Sequence, residues 1–285
     1  MDDNLQIQGE NKTMKGRNDI CWCGSGKKWK KCHFPKEDPN QHRTFDDISD
    51  QYFRKYDIVL KTPRQIEAIR KSCHLATKIL EATCAMATEG ITTLELNDFA
   101  HKLHLEAGAI PAPLGYGYPP FPKSICTSLN EVICHGIPNK TPLKNGDILN
   151  IDVTCVLDGY YGDCSMMVEI GQVDEEKKRV CDTSYECLMR SIEILRPGIL
   201  LSMIGNTIDE YATSKGCSIV NQFVGHGVGI GFHEGPQIPH YKNTINIPLV
   251  PGMTFTIEPM INAGKREAVI DTTDKWTART IDNKP

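Results

Sequence analysis

Asn150-Ile151-Asp152-Val153-Thr154-Cys155-Val156-Leu157-Asp158-Gly159-Tyr160-Tyr161-Gly162-Asp163 sets two apolar runs on either side of an Asp-Gly pair. That arrangement is a strong signal for a two-residue β-hairpin turn. With Asp158 and Gly159 as the turn, Leu157 pairs with Tyr160 and Thr154 with Asp163. Asp152 lies two residues from Thr154, so it shares a face with Asp163 as its diagonal neighbour, roughly 7–8 Å away. Aspartates on a solvated edge hairpin would need no explanation. Here both sit among residues that belong in a core, where a charge needs a partner, and such a carboxylate pair can grip metal ions.

Three other segments place polar donors in similar surroundings. Gly225-His226-Gly227-Val228-Gly229-Ile230-Gly231-Phe232-His233-Glu234 carries two histidines on a glycine-rich backbone able to approach a ligand closely. Phe255-Thr256-Ile257-Glu258-Pro259-Met260 puts a glutamate inside an apolar strand pattern, and Cys134-His135-Gly136 ends another such strand. Taken singly, each histidine reads as a satisfied core residue and Glu258 as an ion-pair partner. Four such places in one chain are hard to explain separately.

Around these segments the pattern is helical. Thr62-Pro63-Arg64-Gln65 combines an N-cap, a first-turn proline and a capping box. Ile66, Ile69, Cys73, Ala76, Leu80 and Ala87 follow at helical spacing up to Gly90. A second helix is expected over about Thr93 to Gly108. The sequence then repeats itself: a helix from about Asp174 ends at Arg196-Pro197-Gly198, and another with Ile204, Ile208 and Tyr211 ends at Gly216. Gly90 to Gly108 and Gly198 to Gly216 enclose the same interval, with Leu96 and Leu103 matching Ile204 and Tyr211. Strand-like segments follow each pair, Ser124 to Leu129 and Asp147 to Leu157, then Ile219 to Val224 and Met253 to Ile261. An internal duplication of two helices plus strands is the expectation.

A chain of 285 residues with a net charge of -4 is long enough for one large domain and an appendage. It has no global field suited to wrapping nucleic acid, so no DNA partner is expected. No stretch approaches the roughly 20 apolar residues of a membrane span, which argues against a membrane partner. The N-terminal MDDNLQIQGENK lacks the apolar centre of a signal peptide. Of twelve cysteines, those from Cys73 to Cys217 sit singly in apolar patterns, as reduced core cysteines do. A cytoplasmic location and a monomer are expected.

In their order along the chain, Asn130-Glu131-Val132-Ile133-Cys134-His135-Gly136, the two-aspartate hairpin, the His226 and His233 segment, and Gly252-Met253-Thr254-Phe255-Thr256-Ile257-Glu258-Pro259-Met260 resemble the motifs of type I methionine aminopeptidases. The resemblance covers roughly Lys61 to the C-terminus. It implies an α+β pita-bread fold, two pseudo-symmetric halves around a curved antiparallel sheet, which would account for the repeat. It implies an enzyme that removes the N-terminal methionine from nascent proteins. Asp152, Asp163, His226 and Glu258 would be ligands of two divalent ions (Co, Mn, Fe or Zn), His135 and His233 would contact substrate, and Glu258 would also accept a proton. Several carboxylates with one imidazole suit hard-to-borderline ions better than a thiolate site does. By the same resemblance Tyr116, Phe121, Phe232 and Trp276 line the slot for the methionine side chain.

The domain reading is then a disordered tail over 1–16, a compact cysteine module over 17–36, a polar linker over 37–60 and the catalytic domain over 61–285. In the module, Cys21, Cys23, Cys32 and His33 offer three thiolates and an imidazole, enough for one tetrahedral zinc. The string Cys21-Trp22-Cys23-Gly24-Ser25-Gly26-Lys27-Lys28-Trp29-Lys30-Lys31-Cys32-His33 resembles the SEC-C motif, which implies zinc. Between Lys12 and Lys31 there are seven basic residues and one acid, with Trp22 and Trp29 interleaved. That basic, aromatic character could touch ribosomal RNA or protein where nascent N-termini emerge. A proline-type exopeptidase of the same scaffold normally carries a long additional N-terminal domain, for which the residues before Lys61 leave no room. The second rival is a pseudo-enzyme or fragment of this fold, binding ribosome or protein. It arises because the family's last metal-bridging glutamate falls past Pro285. On that count the catalytic domain reads as truncated, and the 285 residues are expected to hold one ion tightly and turn over slowly.

Overall fold

The structure, a computed structural model, describes residues 16–21, 25–33, 36 and 44–285. Most of the expected tail, Trp22 and Cys23 of the cysteine cluster, and the first part of the expected linker lie outside the described residues. The chain divides into two compact units, Met1–Arg43 and Thr44–Pro285.

In the second unit the elements run α1 (Phe45–Tyr56), α2 (Pro63–Met86), α3 (Thr93–Glu106), β1 (Ile110–Pro111), β2 (Cys126–Leu129), β3 (Val132–Cys134), β4 (Ile148–Leu157) and β5 (Tyr160–Glu169). There follow α4 (Glu175–Glu193), α5 (Ser202–Ser214), β6 (Ser218–Ile219), β7 (Gly225–Gly227), β8 (Glu234–Ile238), β9 (Ile261–Asn262), β10 (Ala268–Ile270) and β11 (Ala278–Thr280). Helix α1 corrects the expected linker. Thr44 and Asp47 form a reciprocal capping box, and Tyr52, Ile58 and Leu60 make a small core with Ile247, Val250 and Met253. The signal was in the sequence, since Thr44-x-x-Asp47 precedes Ile48, Tyr52 and Tyr56 at helical spacing.

The β4–β5 hairpin forms in the expected register: Leu157 faces Tyr160, Thr154 faces Asp163, and Asp152 faces Ser165. Asp158 and Gly159 both have positive φ, 52° and 81°, the left-handed pair of a tight hairpin turn. Strand β4 is the spine of its sheet, with β5 along one edge and β2 and β1 sharing the other. Leu149, Ile151, Val153 and Cys155 are fully buried against Ala76, Ile79 and Leu80 of α2. The period of two therefore turns Asn150, Asp152 and Thr154 to the opposite face.

The duplication is physical. Gly90 and Gly198 have φ of 91° and 89°, Gly108 and Gly216 of 69° and 68°. Gly90 donates to Leu143, whose N–H returns to Ile91, and Gly198 donates to Leu249, whose N–H returns to Ile199. Leu96 and Ile204 each have no exposed surface and sit in separate cores, one built on α2, α3 and β4, the other on α4, α5, β6 and β8.

Two expected strands are broken. Ile219 to Val224 is a ladder only at Ser218–Ile219, because the Gln222 side chain takes over the pairing, donating to the Ala268 carbonyl and accepting its N–H. Met253 to Ile261 has only a bridge at Phe255 before β9. The Glu258 N–H donates to the His240 ring, and Pro259 has no N–H to offer. Glu258 thus lies outside any regular ladder, contrary to the strand expected there.

Gly162 lies where α2 crosses β5. A Cβ there would sit 2.3 Å from the Ser72 carbonyl carbon and 2.4 Å from the Cys73 nitrogen, backbone atoms that have no rotamer to change. Gly162→Ala should therefore cost about 1–3 kcal/mol, the usual range for overpacking, and displace the adjacent Asp163. Chemical denaturation measures the first effect and metal titration the second. An unchanged midpoint would show that the helix–strand contact is slack.

Candidate metal centre and active site

Asp152 from β4 and Asp163 from β5 share one face of the hairpin, and His226 from β7 and Glu258 close over it from the second half. The Nε2 atom of His226 lies 3.6 Å from Asp163 Oδ2 and 3.5 Å from Glu258 Oε1. Its Nδ1 is 2.9 Å from the Gly227 carbonyl oxygen, so the ring proton is committed there and the Nε2 lone pair faces the carboxylates. Thr256 ties His226 and Glu258 together. Its hydroxyl accepts the His226 N–H at 3.0 Å and donates to Glu258 Oε1 at 2.5 Å. In the first half Thr154 orients one aspartate, donating to Asp163 Oδ1 at 2.9 Å.

The carboxylates are crowded and short of compensating charge. Burial, then the charges of Asp163 and Glu258, push Asp152 well above the usual carboxylate range. Asp163 is raised by burial, partly offset by His226 and by the Thr154 hydroxyl. Burial and the Asp163 charge raise Glu258 to about 8 against the Thr256 hydrogen bond. Three partly buried carboxylates that resist ionisation together around one open imidazole nitrogen are a donor set that divalent cations complete. A cavity of about 1160 Å³ is lined by Asp152, Asp163 and Glu258 together with Met166, Met167 and Tyr185, and not by His135, His226 or His233.

The two expected substrate histidines lie beside this set. His135 ends β3 with φ of 56°, and its ring meets Phe223 and Trp276 edge-on at 5.5 and 6.0 Å. Burial lowers its basicity. His233 lies on the β7–β8 turn with its ring centre 4.2 Å from that of His226, and its Nδ1 is 2.8 Å from the Tyr116 hydroxyl. Burial, then His226 and His135, bring His233 down to about 4. Both imidazoles are neutral at pH 7.

The expected methionine-slot residues form two groups. Phe121, 2 % exposed, packs edge-on to Trp276 at 5.3 Å. Trp276 donates to the Pro119 carbonyl oxygen and lies so close under Gly117 that a Cβ would sit 2.5 Å from it. Tyr116 and Phe232 pair separately at 4.9 Å, with Tyr161 stacked beyond at 5.9 Å from Phe232. Sequence reasoning missed His240, which is buried, drawn down to about 3 by burial and His226, and accepts the Glu258 N–H at 3.2 Å. It missed Phe223 as well. Thr154 and Thr256 could have been found, since one sits opposite Asp163 in the hairpin and the other two residues from Glu258.

In the first unit, Ile20 bridges Lys28 and Trp29–Lys31 forms one 3-10 turn. Cys21 Sγ and Cys32 Sγ lie 3.3 and 3.2 Å from His33 Nδ1. Among the described residues, Cys21, Cys32 and His33 form the only group of three metal-type donors whose ligand atoms all lie within 4.8 Å of one another. Cys23 lies outside the described residues. The set of carboxylates around His226 Nε2 is more open.

Residues 67–280 match the model of metallopeptidase family M24, and residues 17–35 match the SEC-C motif. A methionine aminopeptidase of Chlamydia muridarum is 58 % identical over 269 residues, 94 % of this chain and 91 % of that protein. The crystal structure of methionine aminopeptidase from Rickettsia prowazekii is 44 % identical, covers 80 % of this chain and 91 % of its own, and superposes with a TM-score of 0.77. A prolidase of Pyrococcus furiosus, 21 % identical with a TM-score of 0.57 over 82 % of this chain and 66 % of its own, shares the fold alone. Two helix pairs packed around antiparallel strands are thus the pita-bread fold, and a role as a binding module on that fold is the reading these relatives disfavour. By its fold, its donor set and these similarities, the chain belongs to metallopeptidase family M24 and, within it, to the methionine aminopeptidases.

Proposed function

We propose that the chain removes the N-terminal methionine of nascent polypeptides in the cytosol, using two divalent ions held by Asp152, Asp163, His226 and Glu258. The observation that carries this is the placement of His226 Nε2 between two carboxylates, with a third on the same face and neutral His135 and His233 alongside. When bound, the ions supply Lewis acidity for activating water and polarising the scissile carbonyl. Glu258, oriented by the Thr256 hydroxyl, accepts the proton of the attacking water. With the Tyr116 hydroxyl donating to Nδ1, the His233 proton resides on Nε2, which donates to the oxygen where negative charge develops. His135 lines the substrate side against Phe223. Phe121 and Trp276, with Tyr116 and Phe232, take the methionine side chain.

His233→Ala should lower kcat on a Met-Ala peptide far more than it raises KM, because its hydrogen bond strengthens as charge develops. Equal effects on both constants would assign the histidine to ground-state binding.

The three carboxylates carry -3 against the +4 of two ions, so the second ion should be held more weakly than the first. Calorimetric titration of the metal-stripped protein with Mn should show the two steps. Two equally tight ions would mean that a further ligand is at work. The pH dependence follows from Glu258. Its folded value of about 8 lies above the ordinary 4.5, so the folded metal-free protein binds more protons than the unfolded chain between those values. Below about pH 6.5 the depressed His233 and His240 act in the opposite sense, so the Glu258 effect is read above it: metal-free stability should fall as pH rises from 7 to 8, and metal should restore it increasingly toward pH 8. A metal-free melting temperature that rises from pH 7 to 8 contradicts the assignment.

For the N-terminal unit, one zinc on Cys21, Cys23, Cys32 and His33 is the reading that the clustered donors support. Cys32→Ser should remove one zinc per chain, counted after the catalytic ions are stripped. Lys27, Lys28, Lys30 and Lys31 are exposed around Trp29, which supports docking near the ribosomal exit. Loss of co-sedimentation with ribosomes when the four lysines become glutamates is the expected result. Retained co-sedimentation would exclude this surface.

A further inference from the structure

Glu234 follows His233 directly, and the chemistry above uses neither it nor Lys61. Lys61 is 1 % exposed. Its ammonium is 2.5 Å from Glu234 Oε2 and 3.0 Å from the Val59 carbonyl oxygen. The other carboxylate oxygen, Glu234 Oε1, accepts the N–H groups of Ile230 at 2.7 Å and Gly231 at 2.6 Å. One side chain therefore braces the turn Gly229–Glu234 from inside, across the residues that present Phe232 and His233.

The brace is anchored far away in sequence. The Lys61 N–H donates to the Gly252 carbonyl oxygen at 2.7 Å, and Lys61 immediately precedes Thr62, the N-cap of α2. Behind the turn the backbone is equally tight, since a Cβ on Gly235 would lie 2.4 Å from the Asp57 carbonyl oxygen. Glu234 itself stands opposite Gly227 in the β7–β8 ladder, next to His226. A buried ion pair is a weak source of stability, because apolar residues of similar volume serve as well. A carboxylate with two backbone donors and a fixed cation is instead a means of holding one turn in one shape.

We propose that Lys61 and Glu234 are positioning residues that hold the β7–β8 turn so that His233 meets the substrate. This rests on the reading of His233 as a substrate-contacting group. Misplacing such a group by ~1 Å costs about 100-fold in rate.

The test is a set of variants assayed with a Met-Ala peptide at saturating metal, each checked for folding by its melting transition. Glu234→Ala should lower kcat by about 10- to 100-fold with less than about a threefold change in KM. Because that variant leaves Lys61 buried without a counter-charge, the charge-free pair Lys61→Met with Glu234→Gln provides a second measurement. It should fold and still lose about tenfold in kcat. In a His233→Ala background neither change should lower kcat further, since the group that meets the developing charge is gone; an effect through Phe232 on the same turn would fall on KM. A charge-free pair with the kcat of the parent, or losses that multiply in the His233→Ala background, would overturn the proposal while leaving the role of His233 intact. A His233→Ala variant as fast as the parent would overturn that role and the proposal with it.

Discussion

The structure depends on bringing Asp152, Asp163 and Glu258 together in a partly buried place. Each would ionise readily in solvent, yet burial raises all three, and the charges of neighbouring carboxylates add to it at Asp152 and Glu258. Such an arrangement persists only where the surrounding framework is stiff and a cation is the intended partner. Both conditions are met by the two-half architecture. One half delivers two aspartates on a hairpin whose back is cemented to α2 through Leu149, Ile151, Val153 and Cys155. The other delivers His226 and Glu258 on short, irregular segments joined to each other through Thr256.

That division of labour explains where the backbone is regular and where it is not. The aspartates need only alternate along a ladder, so β4 and β5 pair over ten residues each. Glu258 must reach His226 across the site, and its N–H goes to His240 instead of a neighbouring strand. Close backbone approach recurs wherever a ligand or substrate group is presented: at Gly162 beside Asp163, at Gly117 over Trp276 and at Gly235 behind His233. At each of these points a side chain would displace the element that carries the chemistry. The Lys61–Glu234 pair belongs to the same economy, holding a turn that the hairpin ladder alone would leave free.

The hairpin with its two aspartates, both helix pairs, the glycines Gly108 and Gly216 that end α3 and α5, and the four carboxylate and imidazole residues that the fold gathers were legible in the chain. Each of these rests on a local rule: Asp158-Gly159 for the turn, Thr62 to Gln65 for a cap, alternation for the face on which Asp152 and Asp163 lie. The duplication was legible because the same intervals recur around Gly90 and Gly198. Helix α1 was passed over although its Thr44 to Asp47 box was readable, because the acidic, proline-bearing stretch before it has the composition of a linker.

What the sequence by itself determined is therefore the inventory of donors and the local element on which most of them sit, because turns, caps and burial periodicity act over a few residues. What only the tertiary structure decided is which distant groups meet. Gln222 replaces a strand by pairing with Ala268, His240 takes the Glu258 N–H, Tyr116 bonds His233 across 117 residues, and Lys61 finds Glu234 across 173. No periodicity or spacing encodes those contacts. They follow from how two halves close on each other, where the burial of a polar group forces it to take whichever partner the packing brings within reach.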